Sequence, residues 1–189
     1  MQQKLFMLIL GCTPPGRHTE QHDVFFGIGP SLKSLLPAIH SFWNIPTRLH
    51  IDSWREVTVA DGYRITIIPR QEAGANASPR LFFLNLGGYK PHDPEEYHYK
   101  MLVVASSVGE AIKKAKASAF YKHTGFAGAE SHIDDKYGVD VDDVYDIDDV
   151  LDPASREHFA LQLTPVTDTP DDAWQVGYLK ISDLAKDNA

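Results

Sequence analysis

Two short polar patterns in this 189-residue chain carry the side chains that ligate metals or move protons. Glu-x-His occurs at Glu20 and His22 and again at Glu96 and His98; His-x-Asp occurs at His50 and Asp52 and again at His132 and Asp134. Residues i and i+2 of an extended strand point to the same face, so each pair shares a face wherever its segment is a strand. Two imidazoles and two carboxylates per set make a suitable shell for zinc, manganese or iron with room for a water. These eight residues are the candidate ligands of a divalent transition metal, either one site in each half or one working and one vestigial. The same residue types also pair without metal, as a polar network pinning a loop to a sheet. Both motifs are short, and two distant segments must meet before either matters.

Other residues suggest chemistry that their surroundings weaken. Cys12 is the only cysteine, and His18 or His22 could serve it as a base. The matching position later in the chain is Gly88, so the shared pattern needs no thiol. Arg17 and His18 beside Gly16 could hold an anion, and Gly27-Ile28-Gly29-Pro30 leads into a helix start. That run lacks the glycine spacing of a dinucleotide or P-loop turn. The acidic stretch 132–152 lacks the glycine and closing glutamate of an EF-hand loop. Its interleaved valines and aspartates read as an edge segment whose charges deter edge-to-edge pairing, or as an acidic patch for a basic partner.

The elements that must position these residues occur twice. Leu5, Phe6, Leu8, Leu10, Gly11, Pro15, Glu20 and His22 recur as Leu81, Phe82, Leu84, Leu86, Gly87, Pro91, Glu96 and His98. His50, Ile51, Asp52, Val57, Val59, Asp61, Tyr63 and Ile65 recur as His132, Ile133, Asp134, Val139, Val141, Asp143, Tyr145 and Ile147. The second copy is longer, with its insertion placed in 122–131. Each copy opens with a short apolar run ending at Gly, the mark of a buried strand. A loop, a second strand (HDVFFGI or HYKMLVV) and a helix follow. In the first copy Pro37 should interrupt the helix; in the second, Ser107 and Glu110 form a capping-box pattern. Asp61-Gly62 then marks a hairpin turn.

This organisation predicts an α+β fold: two tandem strand–strand–helix–strand units, with a fourth strand where a hairpin forms, in a mixed sheet about a pseudo-two-fold axis. The boundaries are 4–70 for the first unit, 71–79 for a linker, 80–151 for the second unit and 152–189 for a C-terminal extension. The extension reads as a β-hairpin, HFALQLTPV and WQVGYLKIS joined by TDTPDDA.

Composition narrows the function classes. The chain is 43% hydrophobic and 23% charged, with formal net charge −8. It has no basic stripe for a nucleic-acid backbone and no polybasic patch for a membrane surface. One cysteine cannot make an internal disulfide, which fits a cytoplasmic protein. Lys4 followed by LFMLILGC could pass for a signal peptide, but RLFFLNLGG repeats the pattern mid-chain, so a buried strand is the expected reading.

Taken together, LFFLNLGGYKP, HYKMLVV, FYKHTGF and SHIDDKYGVDVDDVY, with GRHTEQHDVFFGIG and HIDSWREV in the first copy, resemble a small bacterial family, a domain of unknown function found in one or two copies per chain. The resemblance runs from Lys4 to about Leu151. It implies a bacterial, cytoplasmic tandem-domain protein and supplies no catalytic residues. Two functions stay open. One is a non-catalytic module for a small ligand or a protein, a homo-oligomer included. The other is a metal-dependent hydrolase built on the Glu/His/His/Asp sets, its metal polarising a substrate oxygen or activating water.

Overall fold

The apolar run Lys4–Cys12 is strand β1, and a four-stranded antiparallel sheet forms around it in the computed structural model, which describes residues 2–44, 48–74, 78–89, 94–118 and 139–186. β2 (Gln21–Gly29) pairs along its whole length, from Lys4 opposite Gly29 to Cys12 opposite Gln21. β3 (His50–Glu56) lies on the other side of β1, and β10 (Gln175–Lys180) lies outside β3. Phe6, Leu8, Leu10 and Cys12 project to one face of β1 and join a core with Phe25, Leu35, Ile39, Ile51, Ile181 and Leu184. Each large apolar side chain buried there contributes about 1.5–3 kcal/mol. Leu5 and Met7, on the opposite face, are buried as well, which is why the run looks uniformly greasy rather than alternating.

A 3₁₀ turn (Leu32–Leu35) and helix α1 (Leu36–Phe42) cover that core. Ser31 and Ser34 cap the turn reciprocally: the Ser34 amide donates to the Ser31 hydroxyl at 3.3 Å and the Ser31 amide to the Ser34 hydroxyl at 3.2 Å. Pro37 has no N–H to give, so the α-helix begins only at its doorstep, the interruption expected of it. A second sheet, in the order β4–β5–β9, contains Val59–Ala60, Tyr63–Pro69 and Phe159–Pro165. Its β4–β5 turn is Asp61-Gly62, with φ of 49° and 74°. Two left-handed residues in a two-residue loop match the twist of the flanking strands, and Asp-Gly is suited to them.

The tail departs from the expected hairpin. β9 pairs with β5 from Tyr63↔Pro165 to Pro69↔Phe159, and β10 pairs with β3. The connecting segment cannot be a tight turn because it is itself tied down. The Asp172 carboxylate accepts from the Thr58 amide at 2.5 Å, the Thr58 hydroxyl at 2.7 Å and the Val59 amide at 2.6 Å. Helix α4 (Pro153–His158) precedes β9, and helix α5 (Ile181–Lys186) follows β10 to put Ile181 and Leu184 into the first core. Residues Met1–Ala73 and Leu151–Ala189 thereby form one compact unit, and Gly74–Val150 forms another.

The second unit centres on β6 (Arg80–Tyr89), in the order β7–β6–β8, with β7 at Glu96–Ala105 and β8 at Val139–Asp146. Helix α2 (Val108–Lys116) sets Ala111 and Ala115 against Phe82, Leu84, Leu86 and Val103, and α3 (Ile147–Val150) follows β8. Ser107 caps α2 by accepting from the Glu110 amide at 3.3 Å. Glu110 reaches back one residue further than a capping box, to the amide and hydroxyl of Ser106, which hold its carboxyl below the usual range. Ser107→Ala is expected to cost about 1 kcal/mol in denaturant unfolding, with α2 helicity falling in step.

Every strand pairing among the described residues is antiparallel, where a mixed sheet was expected. The crossover through α1 does bring β3 back parallel to β2, but β1 lies between them. β8 adds a second set of register matches. Gly11 lies opposite His50, Leu10 opposite Ile51 and Ile9 opposite Ser53; Gly87 lies opposite Asp140, Leu86 opposite Val141 and Asn85 opposite Asp143. A bulge leaves one residue over in each sheet, Asp52 in β3 and Asp142 in β8. By sheet register Asp142 holds in β8 the bulged position that Asp52 holds in β3. His132 and Asp134 lie outside the described residues. Among the described residues, no helix is long and apolar enough to cross a membrane.

Candidate metal centre

Gly11 is the floor of a polar cluster in the first unit. His22 on β2 and His50 on β3 both lie opposite Gly11 in the two flanking pairings, so their side chains meet across it. Glu20 enters from the residue before β2, and Asp52 is the bulged residue of β3. A bulge re-aims a side chain that a regular strand would place elsewhere. Here Asp52 already shares the His50 face by its i, i+2 spacing, and the bulge leaves it opposite no residue of β1.

The four side chains close a ring in which imidazoles and carboxylates alternate. His22 Nε2 lies 3.0 Å from Asp52 Oδ2 and 3.5 Å from Glu20 Oε2. His50 Nε2 lies 3.2 Å from Asp52 Oδ1 and 3.1 Å from Glu20 Oε1. Each imidazole Nε2 thus stands within 3.0–3.5 Å of one oxygen of each carboxylate, and the two rings use different oxygens of both. Gly11 leaves room for the cluster, since a Cβ there would sit 2.6 Å from His50 Nε2 and 3.0 Å from Asp52 Oδ2.

His50 decides how the ring is read. Its ring is 3% exposed, while the side chains of Glu20, His22 and Asp52 are one-third to nearly one-half open. His50 Nδ1 contacts the Arg48 carbonyl at 3.2 Å. A carbonyl can only accept, so Nδ1 carries the proton. In the neutral ring Nε2 is then a bare lone pair, buried, without a hydrogen-bond partner, and aimed at two carboxylates. Leaving such a group unsatisfied costs about 1–3 kcal/mol. A second proton or a cation removes the conflict. A histidine that donates its far N–H to a backbone carbonyl is also the usual outer support of a metal ligand.

Tyr178 belongs to the site, although nothing in the sequence marked it. β10 slips register against β3 between Val176 and Leu179, opposite the Asp52 bulge, and Gly177 there has φ of 157°. The slip lays the Tyr178 ring over His50, with centroids 4.2 Å apart and planes tilted by 31°. Thr13, Glu20, Arg48, His50 and Tyr178 line an open cleft of ≈ 430 Å³.

In the second unit Glu96, His98 and Asp142 come together, with one ligand atom from each within 4.8 Å of the others. His98 lies opposite Gly87, as His22 lies opposite Gly11. Asp142 was not among the expected residues. The shared His-Ile-Asp string drew the alignment to His132 and Asp134, and only sheet register reveals the alternative. Cys12 is buried in the first core, a small apolar residue ending β1. Arg17 and His18 are exposed in the loop before β2, where the Arg17 amide closes a turn on the Pro14 carbonyl at 3.1 Å.

Residues 17–67 match the family model of Domain of Unknown Function (DUF1543). That segment includes Glu20, His22, His50 and Asp52. No curated protein matches the chain. Among solved structures, the chain is similar to the crystal structure of a protein Il1583 from Idiomarina loihiensis, at 27% sequence identity and a TM-score of 0.62, covering 95% of this chain and 97% of that one.

Proposed function

We propose that the first unit binds one divalent transition metal through Glu20, His22, His50 and Asp52 and presents it to a small ligand in the adjoining cleft. The observation that carries this reading is the buried lone pair of His50, pointed at two carboxylates with its other nitrogen already donating. Two imidazoles and two carboxylates suit zinc, manganese or iron. The cleft opens beside the ring, with Arg48 and Tyr178 on its rim. A metal so placed can polarise a ligand oxygen or lower the pKa of a bound water, so hydrolysis is the reaction class we assign. The matching register of β1–β3 and β6–β8 supports treating the two units as copies of one element.

A non-catalytic module is the second reading, and one observation favours it. The shortest imidazole–carboxylate distances, 3.0 to 3.2 Å, already fit ion pairs with protonated rings. Elemental analysis of untagged protein separates the two. About one zinc, manganese or iron per chain, lost in His50→Ala while the circular dichroism persists, upholds the metal reading. Metal-free protein that gains no thermal stability from added zinc or manganese overturns it.

A further inference from the structure

We infer that Glu96, His98 and Asp142 form a second cation site, of harder character than the first, suited to a manganese-class ion. Three observations converge. The ligand atoms of the three residues lie within 4.8 Å of one another. A Cβ at Gly87 would fall 2.6 Å from Glu96 Oε1 and press on Asp142 Oδ2, so the missing side chain holds the space where the donors meet. Finally, the β8 bulge that frees Asp142 sits at the same register as the β3 bulge that frees Asp52.

The donors differ in a way that sets ion preference. In the first unit the residue opposite the floor glycine is His50; in the second it is Asp140. The described donors therefore change from two imidazoles with two carboxylates to one imidazole with two carboxylates. Imidazole favours zinc, copper, iron and nickel, whereas carboxylate and water favour manganese, magnesium and calcium. His98 Nε2 lies 3.3 Å from Asp142 Oδ2 and 3.7 Å from Glu96 Oε2, each slightly longer than the matching His22 contact. The His98 side chain is 37% exposed, so water can complete the shell. Three described donors, two of them carboxylates, suit an ion that favours oxygen ligands and keeps waters in its shell.

The test is an electron paramagnetic resonance titration of chelator-treated, full-length protein with Mn²⁺. Two bound Mn²⁺ per chain are expected, and one equivalent of Zn²⁺ should displace only one of them. Asp142→Asn should abolish the Zn²⁺-resistant site and spare the other, while His50→Ala does the reverse; His98→Gln replaces Asp142→Asn if that variant fails to fold. A single Mn²⁺ that Asp142→Asn removes and His50→Ala spares would uphold this inference and sink the reading of the first unit. Mn²⁺ binding that neither Asp142→Asn nor His98→Gln alters would overturn the inference, whatever becomes of the first site.

Discussion

Gly11→Ala is expected to weaken the metal binding proposed for the first unit, with affinity falling about tenfold or more. The added methyl would stand 2.6 Å from His50 Nε2, 3.0 Å from Asp52 Oδ2 and 3.1 Å from His22 Cδ2. Three of the four donors would have to move at once. His50 cannot retreat, because it is buried beneath Tyr178 and fixed through Nδ1 to the Arg48 carbonyl. The backbone is no obstacle to alanine: Gly11 lies mid-ladder in β1, outside the left-handed region. The substitution therefore tests the space above the strand and not the strand itself. Some loss of stability, about 1–3 kcal/mol, should accompany it from overpacking. Metal content and thermal unfolding, read together with and without added zinc, check both effects. Full occupancy in the variant would mean that the ion, if present, does not lie in the ring.

Asp172→Ala is expected to cost about 2–4 kcal/mol in urea unfolding. Hydrogen bonds to a charged group are worth about 1.5–3 kcal/mol each, and Asp172 accepts three, from Thr58 and Val59. They are not additive, and the site is half-open, so the sum is smaller than three full bonds. The Asp172 amide adds a bond to the Val59 carbonyl at 3.3 Å. The loss would free the segment that leads into β10. Arg55 donates to the Asp172 carbonyl at 3.4 Å and lies 4.8 Å from the centre of the Trp174 ring, so that stack should loosen too. Asp172→Asn keeps one acceptor oxygen and should lose roughly half as much. Asp171→Ala serves as the control, because Asp171 accepts one exposed bond, from the Asp61 amide at 3.0 Å. Equal losses from both substitutions would show that Asp172 is no clamp.

What the sequence made legible follows from how local each signal is. Apolar runs ending at glycine gave β1 and β6, because burial on both faces leaves a continuous pattern. Asp61-Gly62 announced its turn, and Pro37 its interruption, since backbone preference acts within a few residues. Glu20, His22, His50 and Asp52 were recognisable because i, i+2 spacing places side chains on one strand face, and they do converge. Three features escaped. Asp142 escaped because its place depends on a bulge in the register of β8, which no short string announces. Tyr178 depends on a slip between two strands more than a hundred residues apart in sequence. The tail was read as a hairpin because TDTPDDA has turn composition, yet pairing energy sends β9 and β10 to separate sheets.

The first unit is threaded from both ends of the chain, whereas the second is one continuous stretch. During synthesis the middle of the protein can therefore mature as soon as Val150 clears the ribosome. Glu20, His22, His50 and Asp52 will have emerged long before, but without β10 to cover β3 and without Tyr178 over His50. Domains fold as units during translation, so the earliest-made residues of the cluster wait for the latest-made strand. A ribosome-stalled nascent chain ending before Gln175 should hold a finished second unit and an unsealed first one, so the metal binding proposed for the first unit should wait for the full chain.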